Sequence, residues 1–261
     1  MITDRERRWT ERRASWAPQH TLFNPSHHSV EEIPERVAKP FILRHHYSGT
    51  YPAARYRAGL FDQQELVGVA VFSVPASQKV LTRYADIEPA EGVELGRLVL
   101  LNRCAYNAET WFLARAFKLL KRALGSRFVL SYSDPIPRRD AAGALVKPGH
   151  IGQIYQALNG LYFGRASKST LLILPSGKVM SPRALGKIRR GERGHRYATE
   201  QLIRGGAPAP LKGESGESYV QRVADHFTKL RHPGNLAYGW CLDKQVSRAL
   251  KLPSLPYVKL I

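Results

Sequence analysis

The 261-residue chain sets 40 Lys and Arg against 21 Asp and Glu, a formal net charge of +19 with a pI near 10.2, and its 43% apolar fraction is enough to bury a sizeable core. Such a field attracts polyanions through counterion release, so nucleic acid ranks ahead of an anionic membrane surface as a partner. No apolar run approaches the ~20 residues that span a bilayer, and the start MITDRERRWTERR lacks a signal-peptide core. The expected location is therefore cytoplasmic, in a host cell. Cys104 and Cys241 are too few for a disulfide scaffold and lack metal-finger spacing, so they read as buried thiols.

The first 28 residues are basic and, apart from Trp9, Trp16 and Phe23, poor in aromatics; they read as an arm or a peripheral helix. SVEEIP then reads as a short strand, and PERVAKPFILRHH as a helix opened by Pro34 and disturbed at Pro40. That helix empties into Arg44, His45, His46 and Tyr47 before a Ser48-Gly49 turn. Two imidazoles and a phenol at the mouth of a turn either pack, or bring a metal ligand or a general base into a cleft. YRAGLFDQQELVGVAVFSV is a hairpin about Asp62-Gln63-Gln64. VELGRLVLL, nearly continuous in apolar residues, is a central strand. NAETWFLARAFKLLKRALG is an amphipathic helix with Trp111, Leu113, Phe117, Leu120 and Leu124 on or near one face, stopped by Gly125. RFVLSYSDP is a strand with a polar tip, IGQIYQALNG a short helix, and LYFGRA with STLLILPSG a closing strand pair.

After Ser181 the character changes to a basic helical segment broken by glycines, a linker APAPLKGESGE, and a small final stretch with GNLAYGW and LPSLPYVKLI. The expected organisation is an arm over 1–28, a catalytic domain over 29–180, and a basic C-terminal extension over 181–261 that contacts DNA. The class is α/β, a mixed central sheet flanked by helices. No internal repeat and no dinucleotide or P-loop glycine fingerprint is present.

HHYSG, VELGRLVL, NAETWF, SYSDP and GHIGQIYQALNGLYFGR, spanning about Ala38 to Gly164, resemble the phage Mom family, whose members modify adenine in DNA. The resemblance implies a GCN5-related N-acetyltransferase-like fold and conversion of the adenine amine to an N6-carbamoylmethyl (acetamido) derivative, which protects phage or prophage DNA from restriction. It also implies bound iron and a relation to acetyl-CoA. Acetyltransferases of this fold hold the cofactor pyrophosphate on a Gly-rich turn after the central strand. Here that turn reads LNRCAYNAET, without glycine. Asn107 and Thr110 at the helix start can still hold an anion, with Arg97 either assisting or forming a strand-edge ion pair.

Within the resemblance, His46, Tyr47 and Asp134 form a candidate set for iron, since imidazole with hard oxygen ligands suits that metal. His45 would support its neighbour. Ser133 and Asp134 sit at the SYSDP tip, where Asp134-Pro135 could instead hold the exocyclic amine or cap a turn. Tyr155 is a candidate general acid, sharing a face with Asn159, or else a half-buried aromatic. His150 is a helix cap or a proton shuttle. Lys187, Arg189, Arg190 and Arg193 are candidate phosphate contacts to double-stranded DNA, and Trp111, Tyr162 or Phe163 could stack on an extruded base. The competing readings are an ordinary acyl-CoA-dependent N-acetyltransferase of a protein, RNA or small amine, and a basic DNA-binding protein on an inactive scaffold.

Overall fold

The computed structural model describes residues 7–10, 13–16, 23–77 and 79–259. In chain order the elements are β1 (Arg7–Thr10), β2 (Arg13–Trp16), β3 (His28–Glu32), α1 (Glu35–His45), β4 (Ala54–Asp62), β5 (Glu65–Ser73), α2 (Lys79–Thr82), β6 (Gly92–Leu100), α3 (Ala108–Leu124) and β7 (Phe128–Ser133). Then come β8 (Arg138–Arg139), β9 (Leu145–Lys147), α4 (Gln153–Ala157), β10 (Leu161–Arg165), β11 (Ser169–Ile173), β12 (Val179–Met180), α5 (Pro182–Arg190), α6 (His195–Arg204), α7 (Gly216–Arg222), β13 (Thr228–His232), β14 (Leu236–Cys241) and α8 (Lys244–Arg248). Among the described residues no helix is long and apolar enough to cross a membrane.

The chain divides into two compact units. Unit one comprises 1–135, 150–166 and 235–261. It holds a seven-stranded sheet in the order β10-β14-β7-β6-β5-β4-β3. Every neighbouring pair is antiparallel except β6 with β7. VELGRLVLL is thus the middle strand, as its apolar run implies. Ala38 and Ile42 of α1 pack on Val69, Val71 and Val99 on one face of the sheet. Phe112, Leu113, Ala116 and Leu120 of α3 pack with Phe72, Leu95 and Trp240 on the other. This is the acetyltransferase-like layering expected from the element order.

Four features depart from the sequence reading. α1 runs unbroken through Pro40, because buried Ala38 and Ile42 anchor both sides of it while the proline stays exposed. Within the arm, residues 7–10 and 13–16 form the antiparallel pair β1–β2 rather than a helix, and a single 3-10 turn over Pro25–His27 leads into β3; residues 1–6, 11–12 and 17–22 lie outside the described residues. β10 does not pair with β11: its neighbour is β14, inserted between β10 and β7. The stretch assigned to the C-terminal extension therefore supplies a buried strand of the main sheet, with Leu236, Ala237, Tyr238 and Trp240 in its core.

Unit two comprises 136–149 and 167–234. It contains the β8–β9 hairpin, the sheet β12-β11-β13, and α5, α6 and α7 around Leu174, Met180, Leu185, Ile188, Leu202 and Tyr219.

Candidate active site

Two irregularities of β6 create the site in unit one. The first is a bulge. Arg97 pairs with Val71 and Leu95 with Phe72, so Gly96 is the extra residue between them. Glu94 pairs with Ser73, which places Glu94 and Arg97 on one face of the sheet although they are three apart. A Cβ at Gly96 would come within 2.5 Å of Ser73 Oγ, which is why the position takes glycine. The second is a splay. β6 and β7 pair only from Gly92 with Phe128 to Glu94 with Leu130, and their parallel ladder goes no further.

Arg97 ties the loop after α1 to this place. Its Nε and Nη2 donate to the carbonyl and hydroxyl oxygens of Thr50 at 3.1 and 2.7 Å, and its Nη1 donates to Gly96 O at 2.5 Å. His46 ends α1, its backbone N–H still bonded to Ile42 O. Its ring packs on Tyr47 at 4.3 Å between centroids, while His45 packs on Phe41. Nδ1 of His46 lies 2.8 Å from Ser48 Oγ and accepts the Ser48 backbone N–H at 3.2 Å, so the neutral ring carries its proton on Nε2. Burial, with the charges of Arg97 and His150, pushes the imidazole down to about 3. It is neutral at physiological pH.

Tyr155 of α4 projects toward the same groups. Burial pushes its phenol up to about 12, Tyr47 and Glu94 add to the shift, and Ser131 and Arg97 oppose it. Burial also raises Glu94, partly offset by Arg97. The structure thus brings His46, Tyr47, Arg97 and Tyr155 together and adds Glu94, which sequence reasoning missed. The carboxyl stands in VELGRLVL, but alternation places it opposite Arg97 until the bulge is known. Ser133 is buried, its Oγ without a hydrogen-bond partner among the described residues. Asp134 O accepts the His150 backbone N–H at 3.0 Å, which joins the SYSDP tip to the segment preceding α4. Asn159 does not share a helical face with Tyr155. α4 stops at Ala157, and Asn159 turns the chain with φ 54°.

The β6–α3 turn is built differently. Arg8 is buried there: Nη1 donates to the carbonyls of Leu101, Asn102 and Cys104 at 3.2, 3.3 and 2.5 Å, and Nη2 donates to Ala105 O at 3.3 Å. Nε meets the buried Glu109 carboxylate at 2.6 Å. A pyrophosphate needs N–H donors and positive charge. This turn offers carbonyl oxygens and a carboxylate to a cation, so it does not fit acetyl-CoA in the usual pose. Asn107 opens α3 in the left-handed region, and Thr110 donates its hydroxyl to Asn107 O. With Phe23 and Trp111 they line an open recess of about 540 Å³. Tyr162 and Phe163 are buried in unit one and offer no face to a base, whereas Trp111 is half-buried with Arg115 over its ring at 3.5 Å. Cys104 is buried, as expected, and burial pushes its thiol up to about 11.

For iron, a bond from Nε2 of His46 would leave the ring proton on Nδ1, 2.8 Å from Ser48 Oγ, which can accept it. Among the described residues no three His, Cys, Asp or Glu side chains are grouped to hold a metal. Of the expected set, His46 and Tyr47 lie side by side and would offer an imidazole nitrogen and a phenol oxygen to such an ion.

Residues 27–259 match the Mom protein family. The chain belongs to this family. Membership implies a role in phage DNA modification. Among solved structures, the chain is similar to a ribosomal-protein alanine acetyltransferase from Vibrio fischeri, at 12% identity over 55% of this chain and 85% of that one with a TM-score of 0.36. It is also similar to a protein from Pyrococcus horikoshii described as an acetyltransferase, at 10% identity over 91% and 98% with a TM-score of 0.37. Comparison with curated proteins finds no match. Lys187, Arg189, Arg190 and Arg193, the predicted phosphate contacts, lie on α5 and the turn after it, in unit two.

Proposed function

We propose that the chain is a transferase that converts adenine in phage or prophage DNA to its N6-carbamoylmethyl derivative, acting at the β6–β7 splay. The observation that supports this reading most is the convergence of Glu94, Arg97, Tyr155, Tyr47 and His46 in a chain of the Mom family. The target base leaves the duplex stack, at a cost of a few kcal/mol, to enter such a recess.

The adenine amine is a poor nucleophile because its lone pair is delocalised into the ring. Bond formation therefore needs a base on N6–H. A carboxyl raised by burial is better matched to neutral pH than an ordinary one, and Glu94 takes that role. As N6 bonds the methylene carbon of an activated carbamoylmethyl donor, Glu94 accepts the N6 proton and the leaving group departs with the electron pair of its bond to that carbon. Tyr155, a phenol protonated at neutral pH, donates a proton to the leaving group. His46 offers Nε2–H as a hydrogen bond to the base or the amide, and Arg97 holds the His46–Thr50 loop in place.

An acyl-CoA-dependent N-acetyltransferase is the second reading, and the carbonyl-lined β6–α3 turn speaks against it. The test is mass spectrometry of nucleosides from plasmid DNA propagated with the expressed protein. Deoxyadenosine carrying the added carbamoylmethyl mass is expected. Unmodified DNA together with tight acetyl-CoA binding would replace this reading with the second.

A further inference from the structure

Unit two holds more than half of the formal net charge of +19 in less than a third of the residues. Its carboxylates are unevenly spread. Glu217 lies 3.7 Å from Arg189, Glu200 3.4 Å from Arg204, and Glu214 2.7 Å from Arg222. Around the α5–α6 turn the balance is different. Arg183, Lys187 and Arg190 follow at spacings of four and three, a single stripe on the side of α5 away from buried Leu185 and Ile188. All three bear on one carboxylate, Glu192, which bonds Arg190 at 2.6 Å. Gly191 and Gly194, both at positive φ, keep the connection to α6 short. Arg193 in that turn and Arg196 and Tyr197 in the first turn of α6 are exposed. Arg183, Lys187, Arg193 and Arg196 have no ion-pair partner among the described residues.

We infer that the stripe of Arg183, Lys187 and Arg190, continued by Arg193 and Arg196, is a docking surface for the phosphate backbone of double-stranded DNA; this rests on the reading of DNA as substrate. Seven residues of helix rise about 10 Å, and a duplex presents one phosphate charge per ~1.7 Å of axis, so the row spans several phosphates at once. Arg189, part of the predicted contact set, lies about 100° round α5 from Arg190, off the stripe and beside Glu217, and falls outside the surface. An anionic membrane would call for apolar side chains beside the charges, and α5 turns Leu185 and Ile188 into the core of unit two.

The test uses the full chain and a short duplex, with affinity measured across salt concentrations. Arg183→Ala with Lys187→Ala is compared with Arg189→Ala with Arg204→Ala, which removes the same charge from paired positions. The slope of log affinity against log salt should fall by about two in the first double variant and by less than about one half in the second. Equal falls in both, or in neither, overturn the proposal, as does binding to phosphatidylserine vesicles in preference to duplex. Nucleoside analysis keeps the two readings apart. Stripe-dependent binding without an adenine adduct sinks the proposed chemistry alone, whereas an adduct with stripe-independent binding sinks this surface alone.

Discussion

The two ends of β6 carry opposite arrangements. At Glu94–Arg97 a bulge and the loss of pairing with β7 leave polar groups gathered at a gap between strands, with a carboxyl and a phenol raised and an imidazole lowered by burial. At the α3 end, the carbonyls of Leu101, Asn102, Cys104 and Ala105 and one carboxylate oxygen of Glu109 are engaged by Arg8, which fills the turn with a cation's partners rather than an anion's. Perturbed groups beside a gap are placed for chemistry; a buried ion pair that ties strand to turn is placed for structure. The difference teaches that, in this chain, the turn that would hold a cofactor phosphate in related folds acts as a clasp for the arm, and that the reactive groups lie at the splay.

Breaking the clasp should have the largest effect on the fold. Arg8→Ala leaves the Glu109 carboxylate buried without its cation, at a cost of about 3–5 kcal/mol, and calorimetry should show a large fall in Tm. Adding Glu109→Leu should recover a good part of it. If Arg8→Ala melts like the parent, the clasp is not structural. Titration of either protein with acetyl-CoA should show no tight binding, and micromolar or better affinity would restore the turn as a cofactor site.

Removing the bulge should be felt at the other end. In Gly96→Ala the added methyl meets Ser73 Oγ, an overpacking of about 1–3 kcal/mol. Arg97 should then lose its hold on Thr50, and activity should fall more than stability does. Pairing it with Ser73→Gly should restore both; failure of the pair to restore activity would mean that the register of Arg97 does not matter.

The narrowest effect, confined to acid pH, is on stability. His46 titrates near 3 in the folded chain against an ordinary 6.5, so the unfolded chain binds the extra proton between those values. The stability it contributes is complete above pH 6.5 and drains away as pH falls toward 3. His46→Asn should flatten that limb of the pH–Tm curve. An unchanged limb would show that the ring is not held neutral.

The sheet and the two packed helices were legible because their apolar periodicity is strong: VELGRLVLL as the middle strand, and Phe112 to Leu120 under it. β14 was not. LAYGW stands among glycines and prolines and reads as an appendage, and only long-range pairing inserts it beside β7. Of the site, HHY, Arg97 and Tyr155 were visible as residue types. Glu94 was hidden because a bulge, not alternation, sets its face. The Arg8–Glu109 pair joins positions 101 residues apart, for which local pattern carries no signal. In unit two, the tract KIRRGERGHR announced its charge, but the neighbours Glu217 and Glu192 decide which cations stay unmatched.

The most direct test sets Glu94→Gln and Tyr155→Phe beside the parent chain, each matched for folded protein by its melting curve, and measures the adenine adduct in DNA by nucleoside mass spectrometry. Both substitutions keep size and packing while removing the base or the proton donor. The account predicts a loss of ~100- to 10,000-fold in modification from each, with Tm nearly unchanged. Adduct at the parent level in both variants would contradict it and move the chemistry away from the β6–β7 splay.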